Sequence, residues 1–402
     1  MLGILSWEEK RRCSMNCKVS KLCGGCPYLG MGIAKQAELK KQNVENLARI
    51  NHLKVTVGDV HTARLNKKYR NKIIVGFAKD KGVVRAGLYA AKSHRVVYNE
   101  NCPMHPDIVN QVIGKITELV QSMKIELYNP KNGTGLLRHV LIRWGHATDE
   151  MMVVFVTGKN QFPSRRNLVN ELVKEFPQIK TILQNVNPRN TSIVLENETF
   201  ILYGKGYIED ILLGKKYMFT PSSFYQIHSE QCEVLYKLAI DMAGIEKTDT
   251  VLDTYCGVGT IGLSVADYCR QVVGVEINPE AIECARRNAS ANHISNARFI
   301  AMDSTKYMAE AIRQKNHYDI IILDPPRAGT THAFIDNACR MNPKKIVYIS
   351  CDPKTLTRDL NSFKLNDYYT DRIELVDMFP NTDKIEAVCV LKQRKKPAPK
   401  RH

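Results

Sequence analysis

Hydrophobic and polar positions change their rhythm once along this chain. AKQAELKKQNVENLARI (Ala34 to Ile50) spaces its apolar residues three and four apart, which predicts an amphipathic helix. Short runs rich in β-branched residues follow, KIIVGFA (Lys72 to Ala78) and HRVVY (His94 to Tyr98), and read as strands. DIVNQVIGKITELVQSM (Asp107 to Met123) returns to helical spacing. HVLIRWG and MMVVFVTG, on either side of Ala147 to Glu150, predict a hairpin, with TSIVLE and TFILYG as further strands. The first half is therefore expected to be mixed α+β.

From about Glu230 the order becomes regular. The helical run EQCEVLYKLAIDMAG leads into TVLDTYCGVGTIGLSVA, where a buried strand ends in a glycine loop that opens a helix. QVVGVEI, ARFIAM, YDIIILD, KKIVYIS and AVCVLK then read as strands, with PEAIECARRNASAN as a helix between the first two. Strands alternating with helices predict an α/β domain built on a parallel, doubly wound sheet. The boundary falls near Phe219 to Gln226. The expected division is 1–224, 225–391 and a basic tail at 392–402, with the helix at 34–50 free to pack on the second domain.

At 402 residues the chain has room for two cores. No apolar run reaches the length of a membrane span. MLGILSWEEKRR meets charge after seven residues, too soon for a signal-peptide core, so a cytoplasmic protein is expected. In a reducing compartment the twelve cysteines are not a disulfide framework, and the unusual ones should bind metal or react. The net charge is +17, and KQRKKPAPKRH (Lys392 to His402) supplies six of the basic residues, so the body alone still carries about +11. That balance favours a polyanionic partner, nucleic acid before a merely solubilised surface.

The glycine loop Gly257-Val-Gly259-Thr-Ile-Gly262 satisfies the dinucleotide spacing, so by itself it fits NAD as well as S-adenosylmethionine. Glu276, at the end of the next strand, is placed to accept both hydroxyls of a ribose, and Asp303, ending the strand after that, to face an adenine edge. LDPPR, closing the following strand, decides for S-adenosylmethionine. ILDPPRAG puts Asp324 at a strand's carboxyl end, YISCDP puts Cys351 at the next, and DMFPNTDKIEAV offers Glu386.

A thiol, carboxylates and a cofactor pocket at one sheet edge suit methylation of uracil at C5. That carbon is too weakly nucleophilic alone, but a thiolate adding to C6 makes it enolate-like. A base must then remove the C5 proton. Cys351 would be the nucleophile, Glu386 the base, and Asp324 a hydrogen-bonding orienter. Read singly, Cys351 is a buried strand-end thiol, Glu386 a surface ion-pair partner and Asp324 a loop cap.

DPPRAG, YISCDP and DMFPNTDKIE, in that order, together with FTPSSFYQIH (Phe219 to His228), resemble the signature segments of the RNA uracil-C5-methyltransferases. The resemblance covers nearly the whole chain. It implies a Rossmann-like methyltransferase domain, cofactor contacts at Gln226, Tyr255, Thr260, Glu276, Asp303 and Asp324, and catalysis by Cys351, Glu386 and Asp324. Two positions depart from the family pattern: Lys384 stands where histidine is usual, and His228 where asparagine is usual. Cytosine-C5 and exocyclic-amine methylation fit the segments less well. A non-catalytic RNA-binding protein is opposed by the intact Cys351 and Glu386.

CKVSKLCGGCPY (Cys17 to Tyr28) has the spacing C-x5-C-x2-C. Zinc usually takes two short knuckles and only one is present, whereas an iron–sulfur cluster tolerates varied spacing. Cys102, in NENCPMHP, is the candidate fourth ligand, and Cys13 could replace one of the four. The pattern resembles the cluster-bearing branch of the same family, which modifies 23S ribosomal RNA. It implies a [4Fe–4S] cluster on Cys17, Cys23, Cys26 and Cys102 in an N-terminal α+β iron–sulfur and RNA-binding domain, without the β-barrel many members carry ahead of it. The expected partner is RNA, 23S rRNA before tRNA (uridine 54), with the enzyme acting as a monomer. Within NKKYRNK (Asn66 to Lys72), Lys67, Lys68 and Arg70 suit phosphates, and Tyr69 or Phe224 could stack on bases exposed when the target is flipped out.

Overall fold

The structure is a computed structural model that describes residues 17–90, 93, 95–189, 191 and 193–394. Cys13 and the tail from residue 395 lie outside the described residues. The chain forms two compact units. One takes the residues up to Gly32, Arg64–Leu212 and Met218–Ser229; the other takes Ile33–Ala63, Leu213–Tyr217 and the chain from Glu230.

The first unit is built on a seven-stranded sheet in the order Val96–Tyr98, Val83–Tyr89, Lys72–Asp80, Leu137–Trp144, Met151–Thr157, Ile179–Val186, Thr199–Gly204. Leu137–Trp144 and Met151–Thr157 form the expected antiparallel hairpin. Met151–Thr157 and Ile179–Val186 are parallel, because helix Arg165–Glu175 carries the chain back between them. That helix and Asp107–Ser122 bury Leu168, Val109, Val112 and Ile116 with Ile73, Val75, Ile142 and Phe155 of the sheet. The described residues of the TSIVLE segment do not form the expected strand. The Asn185 side chain donates to the Glu196 carbonyl at 2.6 Å and Asn187 to that of Ile193 at 2.8 Å, holding its carbonyls in a loop instead of a ladder.

Met218–Ser229 is anchored in this unit by Arg143, 2% exposed, whose guanidinium donates to the carbonyls of Pro221 and Ser223 and lies over the Phe219 ring. Asn71 donates to the Gln226 carbonyl at 2.7 Å.

The second unit is an α/β doubly wound sheet. Its order is Thr56–His61, Arg372–Val376, Glu386–Gln393, Lys345–Ser350, Ile320–Leu323, Thr250–Thr254, Gln271–Glu276, Ala297–Ala301. All neighbours run parallel except Glu386–Gln393, which is antiparallel to the strands flanking it. The strand order reverses at Thr250–Thr254, and the crevice at the carboxyl ends there is where such sheets bind ligands.

The contiguous 1–224 domain expected from the sequence is corrected at this point, because Ile33–Ala63 belongs to the second unit. Helix Ile33–Ile50 turns Gln36, Lys40, Val44 and Ala48 inward, and Val44 joins the core of Leu252, Ile321, Ile346 and Leu375. Thr56–His61 then pairs in parallel with Arg372–Val376. A parallel edge strand more than 300 residues from its partner leaves no local signal.

Candidate active site

At the carboxyl edge of the second unit, four helices begin in capping side chains. Asn278 caps Pro279–Ala291, Asp303 caps Ser304–Arg313, Thr331 caps His332–Arg340 and Asp352 caps Pro353–Leu365. The same loops carry most of the sequence-predicted site. Asp303 therefore has a structural duty, accepting from the Lys306 amide at 2.9 Å.

The glycine loop divides its labour. A Cβ on Gly259 would press on Phe299 at 3.1 Å and Ala285 at 3.2 Å, so this glycine serves packing. Gly257, at φ +54°, faces open space, and there the backbone can approach a ligand. Tyr255 holds a left-handed φ of 61°, stacks on Phe334 and shares a hydrogen bond with the Thr330 hydroxyl at 3.1 Å. Glu276 bridges loop and strand end, accepting from the Gly257 amide at 3.3 Å and the Asn278 amide at 2.9 Å. The Thr260 hydroxyl bonds to that of Tyr236 at 3.1 Å.

Asp253 was not singled out by the sequence, although it begins DTYCGVG. It is fully buried and accepts from the Gly262 amide at 2.8 Å, and its other oxygen has no partner among the described residues. Burial first, then the nearby Asp324 and Glu276, pushes its pKa up to about 8 against the Gly262 bond. An apolar strand that ends in Asp before a glycine loop is the signal that could have found it.

Asp324, Cys351 and Glu386 come together at this edge. Glu386 opens its strand, is 1% exposed, and has one carboxyl oxygen buried without a partner among the described residues. Burial and the Asp324 carboxyl hold its pKa well above the ordinary range, opposed by the Arg327 guanidinium. Asp324 is half-buried as a residue but its carboxyl is enclosed, and burial raises its pKa to about 7. The Cys351 thiol, half-buried, is pushed up to about 11, by burial first and then by Glu386 and Asp324, with Arg327 lowering it. Three acids thus share one low-dielectric site, in which extra negative charge is costly. Arg327, exposed after the two prolines, is the cation that Cys351 and Glu386 feel, a role the sequence alone does not assign.

The segment that delivers Glu386 is clamped by helix Ile33–Ile50. Lys40 Nζ donates to Asp377 at 2.6 Å and to the Phe379 carbonyl at 3.2 Å. The Gln36 and Asn381 side chains bond at 3.2 Å, and Gln36 accepts from the Asn381 amide at 2.8 Å. Lys384 is exposed and pairs with Asp383, turned to solvent.

Gln226 and Phe224 lie in the first unit. Gln226 is buried, whereas Phe224 is 66% exposed. His228 bonds to the Leu65 carbonyl at 2.9 Å and stacks on Tyr69, so this departure from the family pattern is taken up in the unit's own packing. Tyr69 is accordingly core and not a stacking surface.

Cys17, Cys23, Cys26 and Cys102 line one small cavity in the first unit. The amides of Lys68 and Arg70 donate to the carbonyls of Pro103 and Met104, and this pairing carries Arg70 into the same cavity. Arg70, expected to contact RNA, stands beside the thiols, lowering Cys26 where burial and the other cysteines raise it. Among the described residues no group of three or more His, Cys, Asp or Glu is gathered for a single metal ion. The four thiols line this one cavity together, and none of the described cysteines is in a disulfide.

No described helix is long and apolar enough to cross a membrane. Residues 165–394 match the family model described as tRNA (uracil-5-)-methyltransferase. A relative from Oceanobacillus iheyensis, described as an uncharacterized RNA methyltransferase, is 36% identical over 390 residues, covering 96% of this chain and 84% of its own. One from Halalkalibacterium halodurans with the same description is 38% identical over 379 residues, covering 93% and 82%. Among solved structures, the Pyrococcus abyssi tRNA (uracil-54, C5)-methyltransferase in complex with S-adenosyl-L-homocysteine superposes with a TM-score of 0.74 at 29% identity, covering 92% of this chain and 86% of that one. The chain belongs to the tRNA (uracil-5-)-methyltransferase family and is an S-adenosylmethionine-dependent RNA uracil-C5-methyltransferase.

Proposed function

We propose that this chain forms 5-methyluridine in 23S ribosomal RNA through a covalent bond between Cys351 and C6 of the target uracil. The observation that carries the chemistry is the meeting of Cys351, Asp324 and Glu386 at one sheet edge beside the open face of Gly257. Tyr255, Thr260, Glu276 and Asp303 hold S-adenosylmethionine, which supplies the methyl group.

A thiol near pH 11 does not ionise alone at neutral pH. Asp324, near 7, is the carboxylate available to take its proton while hydrogen-bonding the pyrimidine. The Cys351 sulfur bonds to C6, and electrons move to C5 and O4. Arg327 offsets part of that charge. C5 then takes the methyl from sulfur and S-adenosylhomocysteine leaves. Glu386 removes the C5 proton, and the C6–S bond breaks to restore the thiolate. A buried carboxylate with one oxygen left without a hydrogen-bond partner among the described residues is a strong base, which suits the last step.

The reading of 23S rRNA is supported by the four cysteines around one cavity. Four thiolates are the donor set of an iron–sulfur cluster. A cubane is far larger than one ion, so its ligands ring a space, and the Arg70 guanidinium would offset their charge. Phe224 stacks on an unpaired base in this reading, which its exposure supports. The likeness to the P. abyssi enzyme favours a second reading, uridine 54 of tRNA.

Methyl transfer from labelled S-adenosylmethionine to purified, unmodified 23S rRNA and tRNA, with mapping of 5-methyluridine, separates the two. Label in 23S rRNA is expected; label in tRNA alone would overturn the assignment. Protein purified without oxygen should hold close to four iron and four sulfide, and stoichiometric zinc without iron would refute the cluster.

A further inference from the structure

The antiparallel strand Glu386–Gln393 connects two ends of the second unit. It starts at the catalytic edge with Glu386 and finishes at the opposite, amino-terminal edge, where Lys392 lies beside Lys345. With a rise of about 3.4 Å per residue, the two ends are separated by roughly 20 Å. At the far edge the structure has a groove of about 710 Å³ to which the mechanism assigns nothing.

Lys54, Lys364, Lys392 and Arg394 line it, each exposed, and none is in an ion pair among the described residues. Asp371 is the acidic side chain in the lining, and Arg372 is already committed to Glu374. The Arg394 guanidinium sits over the Tyr369 ring, 5.4 Å from its centroid, so a flat cationic and aromatic shelf forms one wall. The sequence continues from Arg394 directly into KKPAPKRH, with four more basic residues. Helix Pro353–Leu365, whose amino end begins beside Cys351, presents Lys364 here at its carboxyl end. One rigid helix and one strand therefore tie the groove to the reacting centre.

We propose that this groove is a second RNA-binding surface, gripping the phosphate backbone of the substrate at a distance from the reactive uridine. The inference rests on the chain's being an RNA methyltransferase and on charge complementarity: four unpaired cations with an aromatic shelf suit a polyanion whose bases can stack. Because the groove lies across the sheet, only RNA long enough to pass around the unit reaches both places. At about 3.4 Å per stacked nucleotide, a pentanucleotide centred on the reactive base extends less than 10 Å either way and cannot.

The test uses the full chain and two fluorescent probes, oligouridylates of about five and about forty nucleotides, titrated from about 0.05 to 0.3 M salt. Lys54→Glu/Lys364→Glu/Arg394→Glu should weaken the long probe ten-fold or more. It should also flatten the slope of log affinity against log salt by about 2, given about 0.7 per single-strand phosphate contact. The short probe should bind as to the parent. A neutral triple, Lys54→Gln/Lys364→Gln/Arg394→Gln, should flatten the slope equally and melt like the parent, which keeps the test valid if charge reversal harms folding. Unchanged long-probe binding, or equal loss for both lengths, overturns the proposal. Methyl transfer to bulk RNA is scored separately: a parent chain with the length-dependent effect but no transfer would refute the enzymatic reading and support the groove.

Discussion

The Lys40–Asp377 pair offers a sharp test of how the catalytic segment is held. Lys40 is 1% exposed and Asp377 2%, and they meet at 2.6 Å. Burial lowers the pKa of the lysine and raises that of the aspartate, each partner opposing the other's shift. Lys40→Met keeps the stem's volume and removes only the charge, leaving a buried carboxylate without its counter-ion. Breaking such a pair costs about 3–5 kcal/mol. For a unit of this size that is roughly 6–20 °C in Tm, at 2–4 °C per kcal/mol. Adding Asp377→Leu removes the stranded charge, and stability should return to within about 1–2 kcal/mol of the parent.

The sign of the pH effect follows. Without Lys40 the Asp377 folded pKa rises further above its unfolded value. The carboxyl's contribution to stability is then full below the unfolded pKa and is lost as pH rises through the folded one. The Lys40→Met deficit should shrink from pH 8 to pH 5. Urea unfolding of both singles and the double at these two pH values makes the measurement. A single-variant loss under about 1 kcal/mol, independent of pH, would show that solvent already screens the pair and refute the clamp. If the clamp positions Glu386, the refolded double should bind S-adenosylmethionine normally yet turn over at least ten-fold more slowly.

Asp324, with a pKa near 7, should give kcat/KM a rising limb between pH 6 and 8, and Asp324→Asn should abolish that limb along with most activity. Asp253 has a folded pKa near 8, above its unfolded value, so its contribution to stability is lost as pH rises toward 8; Asp253→Asn should flatten the decline in unfolding free energy over pH 5–8. Gly257→Ala strains a left-handed position by about 1 kcal/mol and fills the loop's open face, so KM for S-adenosylmethionine should rise several-fold; an unchanged KM would put the cofactor elsewhere.

What could be read from the sequence was local. TVLDTYCGVG, ILDPPRAG and YISCDP each hold a strand, its turn and a helix start within a dozen residues, so strand ends and candidate groups could be located together. Lys40 could not: its partner lies 337 residues away, and an amphipathic helix with an inward lysine looks like any surface helix. The edge pairing of Thr56–His61 escaped for the same reason. Arg70 is a converse case. Its place in NKKYRNK reads as a phosphate contact, but two backbone hydrogen bonds to the Pro103–Met104 segment turn it to the cysteines. Burying a carboxyl at a strand end runs against composition rules, so the strand-Asp-glycine signal at Asp253 gains its meaning from the unpartnered oxygen.

The central claim is that Cys351 becomes covalently bonded to the substrate base and Glu386 releases it. RNA carrying 5-fluorouridine at the target has no C5 proton to remove, so incubation with S-adenosylmethionine should trap a protein–RNA adduct stable to denaturing electrophoresis. Peptide mass analysis should place the linkage at Cys351, and Glu386→Gln should accumulate the same linkage on ordinary RNA. A Cys351→Ala protein that still makes 5-methyluridine, or an adduct mapped to another residue, would contradict the account.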